Sequence, residues 1–116
     1  WENQDIGTAM AFGIANLKAV RKTLPNSRLV ITEAGWATVA SEFGPRASEA
    51  KQQRYFRELF AWTDMMNITT FFFAAFDEDW KGNPGDPLGA EKHWGIFTGD
   101  RQPKQVMQPG PIRDGS

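Results

Sequence analysis

Apolar residues recur along the chain at helical spacing in two stretches, which predict two helices. The first stretch follows the N-cap candidates Asn3 and Asp5. The second begins after the N-cap candidate Ser48 and closes at Asn67. The two predicted apolar faces consist of Met10, Ile14, Leu17, Val20 and Leu24, and of Tyr55, Phe56, Leu59, Phe60, Trp62 and Met66.

Two continuous apolar runs predict short strands that are covered on both faces. The first spans residues 29–32 and the second spans residues 68–76. Side chains alternate in a regular strand, so Ile31 and Glu33 are expected on one face and Val30 and Thr32 on the other. Because the predicted strands alternate with helices, the pattern indicates parallel βα units.

Each predicted strand ends in acidic residues. Glu33 follows the first strand, and Asp77, Glu78 and Asp79 follow the second. Parallel α/β folds place their active sites at the carboxyl ends of the strands. A carboxylate at such a position is costly unless it is paired, hydrogen-bonded or used in chemistry. Two interpretations of Glu33 therefore stay open: a catalytic group, or a structural carboxylate that caps a helix or pairs with an arginine.

The composition excludes several classes of function. A chain of 116 residues with a net charge of -1 does not favour nucleic-acid binding. No apolar run approaches the roughly 20 residues of a membrane span, and no signal peptide is present in this piece. Without cysteine there is no disulfide framework. Five tryptophans and nine phenylalanines fit either a sugar-stacking site or a dense core.

Three short motifs occur in a fixed order along the chain. They are ITEAGW at residues 31–36, FDEDWK at residues 76–81 and EKHWGIF at residues 91–97. Together they resemble the C-terminal part of glycoside hydrolase family 17, the β-1,3-glucanases and related glucanosyltransferases, over residues 1–104. The second and third motifs resemble the bacterial members more than the plant enzymes. The resemblance implies a (β/α)₈ TIM barrel that acts with retention of configuration.

The resemblance also implies that this α/β chain is the C-terminal portion of such a barrel. It would contribute about two βα units with a flanking helix and loop, since a closed barrel needs roughly 250 residues. Residues 1–104 are expected to belong to the barrel and residues 105–116 to form a Pro/Gly-rich tail. The remaining half would come from the same parent chain or from another chain.

The resemblance assigns roles to four charged residues. Glu33 matches the catalytic nucleophile at the end of the seventh strand. Glu78 and Lys81 match a second acidic residue and an active-site lysine after the eighth strand, and Glu91 matches a further carboxylate of the cleft. A lysine near Glu33 would keep the nucleophile ionised.

Aromatic side chains of the motifs are expected to contact the sugar, because indole faces stack on glucose rings. The residues expected to bind substrate are Trp1, Trp36, Phe76, Trp80 and Trp94. For Trp80 and Trp94 the motifs fit packing equally well. His93 has no second histidine and no cysteine to complete a metal site, so we interpret it as a loop residue near the cleft. The acids at 77–79 lack the spacing of a calcium loop, and neither a metal nor a cofactor is expected.

A retaining glycosidase needs an ionised nucleophile and a protonated carboxyl group on the other side of the scissile bond. The family carries that general acid on its fourth strand, which this chain does not contain. We therefore expect a fragment of a retaining β-1,3-glucan hydrolase, inactive alone and active within its parent. Two alternatives stay open: a β-glucan transglycosylase of the same fold, and a non-catalytic glucan-binding fragment. The parent is expected to be extracellular, periplasmic or membrane-tethered, because glucan is a polymer of those compartments.

Overall fold

The computed structural model describes residues 5–108 of the chain. Helix α1 spans Ile6–Thr23 and strand β1 spans Val30–Ala34. Helix α2 spans Glu49–Met65 and strand β2 spans Thr69–Phe72. Three short 3₁₀ helices lie in the connecting and C-terminal segments, at Gly44–Arg46, Ala90–Lys92 and Gln105–Met107.

Both predicted helices form and begin where their capping residues indicate. The Asp5 carboxylate accepts a hydrogen bond from Ile6 N at 2.7 Å, and Ser48 Oγ accepts one from Lys51 N at 3.0 Å. Asn67 adopts a positive φ of 56° just after α2, which ends that helix. The alternative cap Asn3 lies outside the described residues.

Strands β1 and β2 pair in parallel, with α2 between them in the chain. This confirms the parallel βα arrangement expected from the alternation of apolar runs. Aromatic residues of α2 cover one face of the pair: Phe56 packs edge-on against Phe72 at 4.9 Å between ring centroids, and Tyr55 lies 6.4 Å from the same ring. The opposite face is open within residues 5–108, where Val30 and Phe71 are exposed. The prediction that both faces are covered is therefore wrong for the described residues, in which the sheet has two strands.

The register of the two strands is interrupted between Ile31 and Ala34. Ile31 pairs with Thr70 and Ala34 pairs with Phe72. Because Thr70 and Phe72 share a face, Ile31 and Ala34 also share one, although regular alternation would separate them. Ile31 and Glu33 line the same groove, as the expected alternation of residues 30–33 indicates, and the irregularity adds Ala34 to that side. Thr32 and Glu33 are both exposed.

Strand β2 is shorter than the predicted run of residues 68–76. After Phe73, whose N–H still donates to Ala34 O of β1, the chain leaves β1 and pairs with the segment around residues 94–97. Ala74 N donates to Trp94 O at 2.9 Å, Ile96 N donates to Ala74 O at 2.9 Å, and Phe76 forms a parallel bridge with Phe97. The peptide bond between Phe73 and Ala74 is cis. The first half of the apolar run therefore pairs with β1, and the second half pairs with residues 94–97.

The predicted apolar faces are covered in part. Met10, Ile14 and Leu17 of α1 line a groove against β1 and α2, whereas Val20 and Leu24 are exposed beyond it. On α2 the predicted aromatic stripe packs inward. Met66, at the end of that stripe, is exposed, and the fully buried polar residues Gln52 and Thr63 were not predicted.

Candidate active site

Glu33 lies near the carboxyl end of β1 with its side chain exposed. It contributes to a groove of about 180 Å³ that α1, β1 and α2 enclose. Within residues 5–108 no side chain or backbone group forms a hydrogen bond or ion pair with its carboxylate. Neither structural role considered for Glu33, capping a helix or pairing with an arginine, is therefore present in the described part of the chain.

The backbone after Glu33 lies directly against the segment that follows β2. Phe73 N donates to Ala34 O at 2.7 Å. A Cβ atom at Gly35 would collide with Phe73 O and would lie 3.0 Å from the Trp94 ring. Glycine at position 35 therefore permits the close approach of the two strand ends.

The second acidic segment carries an ion pair between Glu78 and Lys81. Lys81 Nζ lies 3.2 Å from Glu78 Oε1 and 4.7 Å from the centre of the Phe73 ring. Both side chains are about one-quarter exposed, so a ligand could reach them. Among the described residues the ion-pair partner of Lys81 is thus Glu78.

A larger cleft of about 870 Å³ opens beside this segment. Its lining includes Phe76, Glu78 and Trp80, and Trp80 is 73% exposed. The cleft and the groove at Glu33 share no lining residue. In the described part of the chain, Glu33 and Glu78 therefore border separate cavities.

Four of the five aromatic residues predicted to contact sugar lie within residues 5–108, and their environments differ. Trp36 is 2% exposed, its Nε1 donates to Arg46 O at 2.8 Å, and its ring packs 5.4 Å from Tyr55. No face of this indole is open to a sugar, which corrects the expectation for Trp36. Trp94 is half-buried and packs edge-on against Phe73. Trp1 lies outside the described residues.

Glu91 lies on the 3₁₀ helix Ala90–Lys92, and His93 follows that helix and lines the larger cleft. Glu91 is exposed and does not line either cavity. The His93 Nε2 atom lies 2.8 Å from Pro87 O, and its Nδ1 lies 3.7 Å from Asp77 Oδ2. Because a carbonyl oxygen only accepts, Nε2 carries the proton. These contacts confirm His93 as a hydrogen-bonded loop residue near the cleft.

A buried ion pair that the sequence did not indicate joins Asp77, in the segment after β2, to Lys104. Asp77 Oδ1 accepts from Lys104 Nζ at 2.7 Å and from Gly95 N at 2.9 Å. Lys104 also donates to Thr38 Oγ1 at 2.8 Å. The partners are far apart in sequence, so no local spacing indicates them. In the sequence Asp77 is one member of the acidic run at residues 77–79 and of the motif at residues 76–81.

Ser41 joins the loop after β1 to the loop after β2. Its hydroxyl lies 2.5 Å from Asp86 Oδ2 and 2.8 Å from Glu42 Oε1. The one hydroxyl proton is donated to one carboxylate at a time, and Ala90 N donates to Glu42 as well. Hydrogen bonding to Ser41 is the main cause that lowers the pKa of both Asp86 and Glu42 below their ordinary values.

These lowered pKa values predict an acid-dependent contribution of Ser41 to stability. A carboxylate whose pKa is depressed by folding stabilises the protein above its unfolded pKa, here 3.8 for Asp86 and 4.5 for Glu42. That contribution is lost as the pH falls through the lower folded pKa. We expect Ser41→Ala to lower the Tm at pH 7 and to have progressively less effect below about pH 4. The Tm of the unsubstituted protein and of Ser41→Ala is measured by thermal unfolding from pH 7 to below pH 4. A Tm difference that stays constant with pH would contradict the role of Ser41 in lowering these two pKa values.

No group of three or more histidine, cysteine or acidic residues within residues 5–108 is arranged to hold a metal ion. Nor does any helix of that part combine the length and the hydropathy needed to cross a membrane.

Comparison with known proteins places the chain among glycoside hydrolases. Residues 1–95 match the family model of the BtgE/BtgC glycoside hydrolase domain. A glucan 1,3-beta-glucosidase of Saccharomyces cerevisiae is 37% identical over 71 residues, which are 59% of this chain and 22% of the yeast protein. The likeness to family 17 that the three motifs indicated is thereby confirmed.

Two solved structures resemble the fold closely. A glycoside hydrolase family 17 beta-1,3-glucanosyltransferase from Rhizomucor miehei superposes with a TM-score of 0.79 at 26% identity, over 93% of this chain and 39% of that one. An active-site mutant of that enzyme was solved in complex with laminaritriose. An endo-laminarinase from Formosa Hel1_33_131 gives a TM-score of 0.75 at 27% identity, over 88% of this chain and 28% of its own. The chain thus spans less than half the length of each of these proteins.

Proposed function

Since the chain belongs to the BtgE/BtgC glycoside hydrolase domain family, we propose that it is the C-terminal portion of a (β/α)₈ barrel enzyme that acts on β-1,3-glucan. The observation that carries the proposal is the pair of parallel strands whose carboxyl ends bear Glu33 and the segment with Glu78. Active sites of such barrels lie at the carboxyl ends of the strands. The likeness to a glucanosyltransferase and to an endo-laminarinase supports the substrate class.

In the proposed reaction Glu33 is the nucleophile that attacks the anomeric carbon. Its exposed carboxylate has no partner among residues 5–108, so it is available to a substrate. A retaining glycosidase also needs a protonated carboxyl group about 5 to 5.5 Å away. We place that general acid in the part of the barrel that this chain does not contain. Glu78 is proposed to line the cleft rather than to replace the acid.

The other residues proposed for the site divide between charge and stacking, and those within residues 5–108 lie outside the groove at Glu33. Lys81, already paired with Glu78, supplies positive charge that would favour ionised carboxylates nearby. Glu91 is proposed as a further carboxylate that accepts sugar hydroxyls. Phe76 and Trp80 line the larger cleft with exposed side chains, and we propose that they stack on sugar rings. In the described structure Arg101 lies over the Phe76 ring at 4.8 Å, and Lys81 Nζ lies over the Trp80 ring at 5.4 Å. Trp1 and Trp94 are retained as further candidate contacts.

The missing part of the barrel is the proposed macromolecular partner. Val30 and Phe71 are exposed on the uncovered face of the sheet, and both strands have a free edge within residues 5–108. Neighbouring strands would pair with those edges and cover that face. Residues 1–104 are proposed as the barrel portion and residues 105–116 as a tail. We propose an extracellular, periplasmic or membrane-tethered location for the whole enzyme, where glucan is found.

A second outcome for the glucosyl-enzyme is transfer to a sugar hydroxyl in place of water. The extensive likeness to the Rhizomucor miehei glucanosyltransferase favours it as the alternative. The two reactions share the nucleophile and differ in the acceptor. Hydrolysis releases new reducing ends, whereas transfer yields longer or branched glucans.

We expect the whole enzyme to convert laminarin and the purified 116-residue chain to leave it unchanged, because the chain lacks the general acid. Reducing-end release and product length, followed together, test the substrate and separate hydrolysis from transfer. Turnover of laminarin by the sequence-verified 116-residue chain would contradict the proposal that the general acid lies in another part of the barrel. A whole enzyme without activity on laminarin or on its oligosaccharides would contradict the proposed substrate.

A further inference from the structure

The ammonium group of Lys104 is buried at the point where the segments that follow both strands meet. Lys104 is 4% exposed. Its Nζ donates to Thr38 Oγ1, in the segment after β1, and to Asp77 Oδ1, in the segment after β2. One buried charge thus joins the two segments that leave the carboxyl ends of the sheet.

The groups around this ammonium are themselves tied to a third segment. Thr38 N donates to His93 O at 2.9 Å, and Thr38 Oγ1 donates to the same oxygen at 3.3 Å. Asp77 Oδ1 accepts from Gly95 N, and Asp77 N donates to Phe97 O at 3.0 Å. Buried polar networks whose members are satisfied hold a single arrangement. Displacement of the ammonium would leave the carboxylate of Asp77 without its charged partner in a largely buried position.

The two direct partners of Lys104 are neighbours of the proposed active-site carboxylates. Asp77 immediately precedes Glu78, and Thr38 follows Glu33 along the chain with the buried Trp36 between them. Lys104 itself lies beyond residues 1–95, which match the family model. We infer that Lys104 is a positioning residue that sets the placement of the Glu33 and Glu78 segments relative to each other. This inference rests on the proposed function of those two carboxylates.

A residue that only stabilises the fold would behave differently from a positioning residue. Leu59 offers a matched comparison, because it is also almost fully buried and lies on α2 in the groove beside α1. Leu59→Ala removes core packing without touching Thr38, Asp77 or Lys104. Lys104→Met removes the ammonium while it keeps a long side chain. Thr38→Val removes one acceptor with little change of shape and serves if Lys104→Met does not fold.

The absence of cysteine from the sequence permits a direct measurement of the segment placement. Nitroxide labels are attached at Val39→Cys and Asp79→Cys, two exposed positions on the two segments. We expect Lys104→Met to widen the inter-label distance distribution about twofold, and Thr38→Val to widen it less. Leu59→Ala should leave the width unchanged at a temperature where circular dichroism shows every variant folded. Unchanged widths in both Lys104→Met and Thr38→Val, or equal widening in Leu59→Ala, would overturn the inference.

The same substitutions in the whole enzyme connect placement to catalysis. We expect Lys104→Met to lower kcat on laminarin about 10- to 100-fold with little change in KM, since misplaced groups lose rate rather than binding. Ile68→Ala, which truncates a buried side chain that lines neither the groove at Glu33 nor the larger cleft, should retain kcat well below its Tm. If the unsubstituted enzyme does not act on laminarin, the proposed function fails, and the label distances still decide whether Lys104 positions the two segments.

Discussion

Glu33→Gln in the whole enzyme is expected to lower kcat on laminarin by at least about 10³-fold while the fold stays intact. The amide has nearly the same shape as the carboxylate, but it cannot form the glycosyl-enzyme bond as a nucleophile. Glu33 is exposed and has no hydrogen-bond or ion-pair partner within residues 5–108. The substitution therefore removes no interaction among the described residues, and we expect the Tm to stay within a degree or so of the unsubstituted value.

Glu58→Gln is the matched control for this experiment. It makes the same chemical change on the surface of α2, where Glu58 pairs with Arg54 at 2.9 Å. An exposed pair of this kind contributes about 0.3–0.5 kcal/mol, so activity and Tm should both be nearly unchanged. Initial rates of reducing-end release and thermal unfolding are measured on all three proteins. Retention of activity by Glu33→Gln would remove Glu33 from the proposed mechanism.

Gly95→Ala is expected to destabilise the protein by at least about 3 kcal/mol or to prevent folding. A Cβ atom at this position would collide with Asp77 N and with the carbonyl carbon of Phe76, and it would lie 2.5 Å from Phe97 O. All three are backbone atoms, which cannot rotate away as a side chain can. The backbone of Gly95 also holds two partners, since its N–H donates to Asp77 Oδ1 and its carbonyl accepts from Gln52 Nε2 at 2.8 Å.

Gly13→Ala is the corresponding control. Gly13 lies inside α1, and no atom outside its own helical environment lies within 4 Å of the position that a Cβ would occupy. Alanine there should stabilise the protein by about 0.5–1 kcal/mol, because glycine is a poor helix former. Urea unfolding of both variants gives the free energies and shows from the m-value whether the transition is unchanged. A Gly95→Ala protein as stable as the unsubstituted one would mean that the segments at 76–77 and 95–97 are not packed as described.

The sequence indicated the helices, their capping residues and the parallel pairing, because these features follow from local spacing and side-chain type. Asp5 and Ser48 begin their helices as expected. The apolar run at residues 68–76 did not indicate where β2 ends. Its second half pairs with residues 94–97, and such long-range hydrogen bonds leave no mark on the local pattern. The register irregularity at residues 31–34 is a property of the pair of strands and not of either one alone.

The sequence predicted which residues belong to the candidate site better than it predicted how they are arranged in space. The motifs indicated Glu33, Glu78 and Lys81. Glu33 lies within β1, one residue before its end, and Glu78 and Lys81 follow β2. They could not show that Trp36 turns its indole into the core, because the acceptor of its N–H, Arg46 O, lies ten residues further along the chain at the end of a 3₁₀ helix. Lys104 carried no signal, since a lysine near a Pro-rich stretch is usually a solvated surface residue.

The contacts of Lys104 also bear on the order in which the chain is synthesised. Thr38 leaves the ribosome before Lys104, and 66 residues separate them. At about 5–20 residues per second, translation of that interval takes roughly 3 to 13 s. Asp77 is synthesised 27 residues before Lys104, so for roughly the last 1 to 5 s of that interval the nascent chain presents the carboxylate of Asp77 without its charged partner. The arrangement of this end of the sheet is therefore completed only after Lys104 is made, and a translational pause just before Lys104 prolongs the exposure of the unjoined segments to proteases and chaperones.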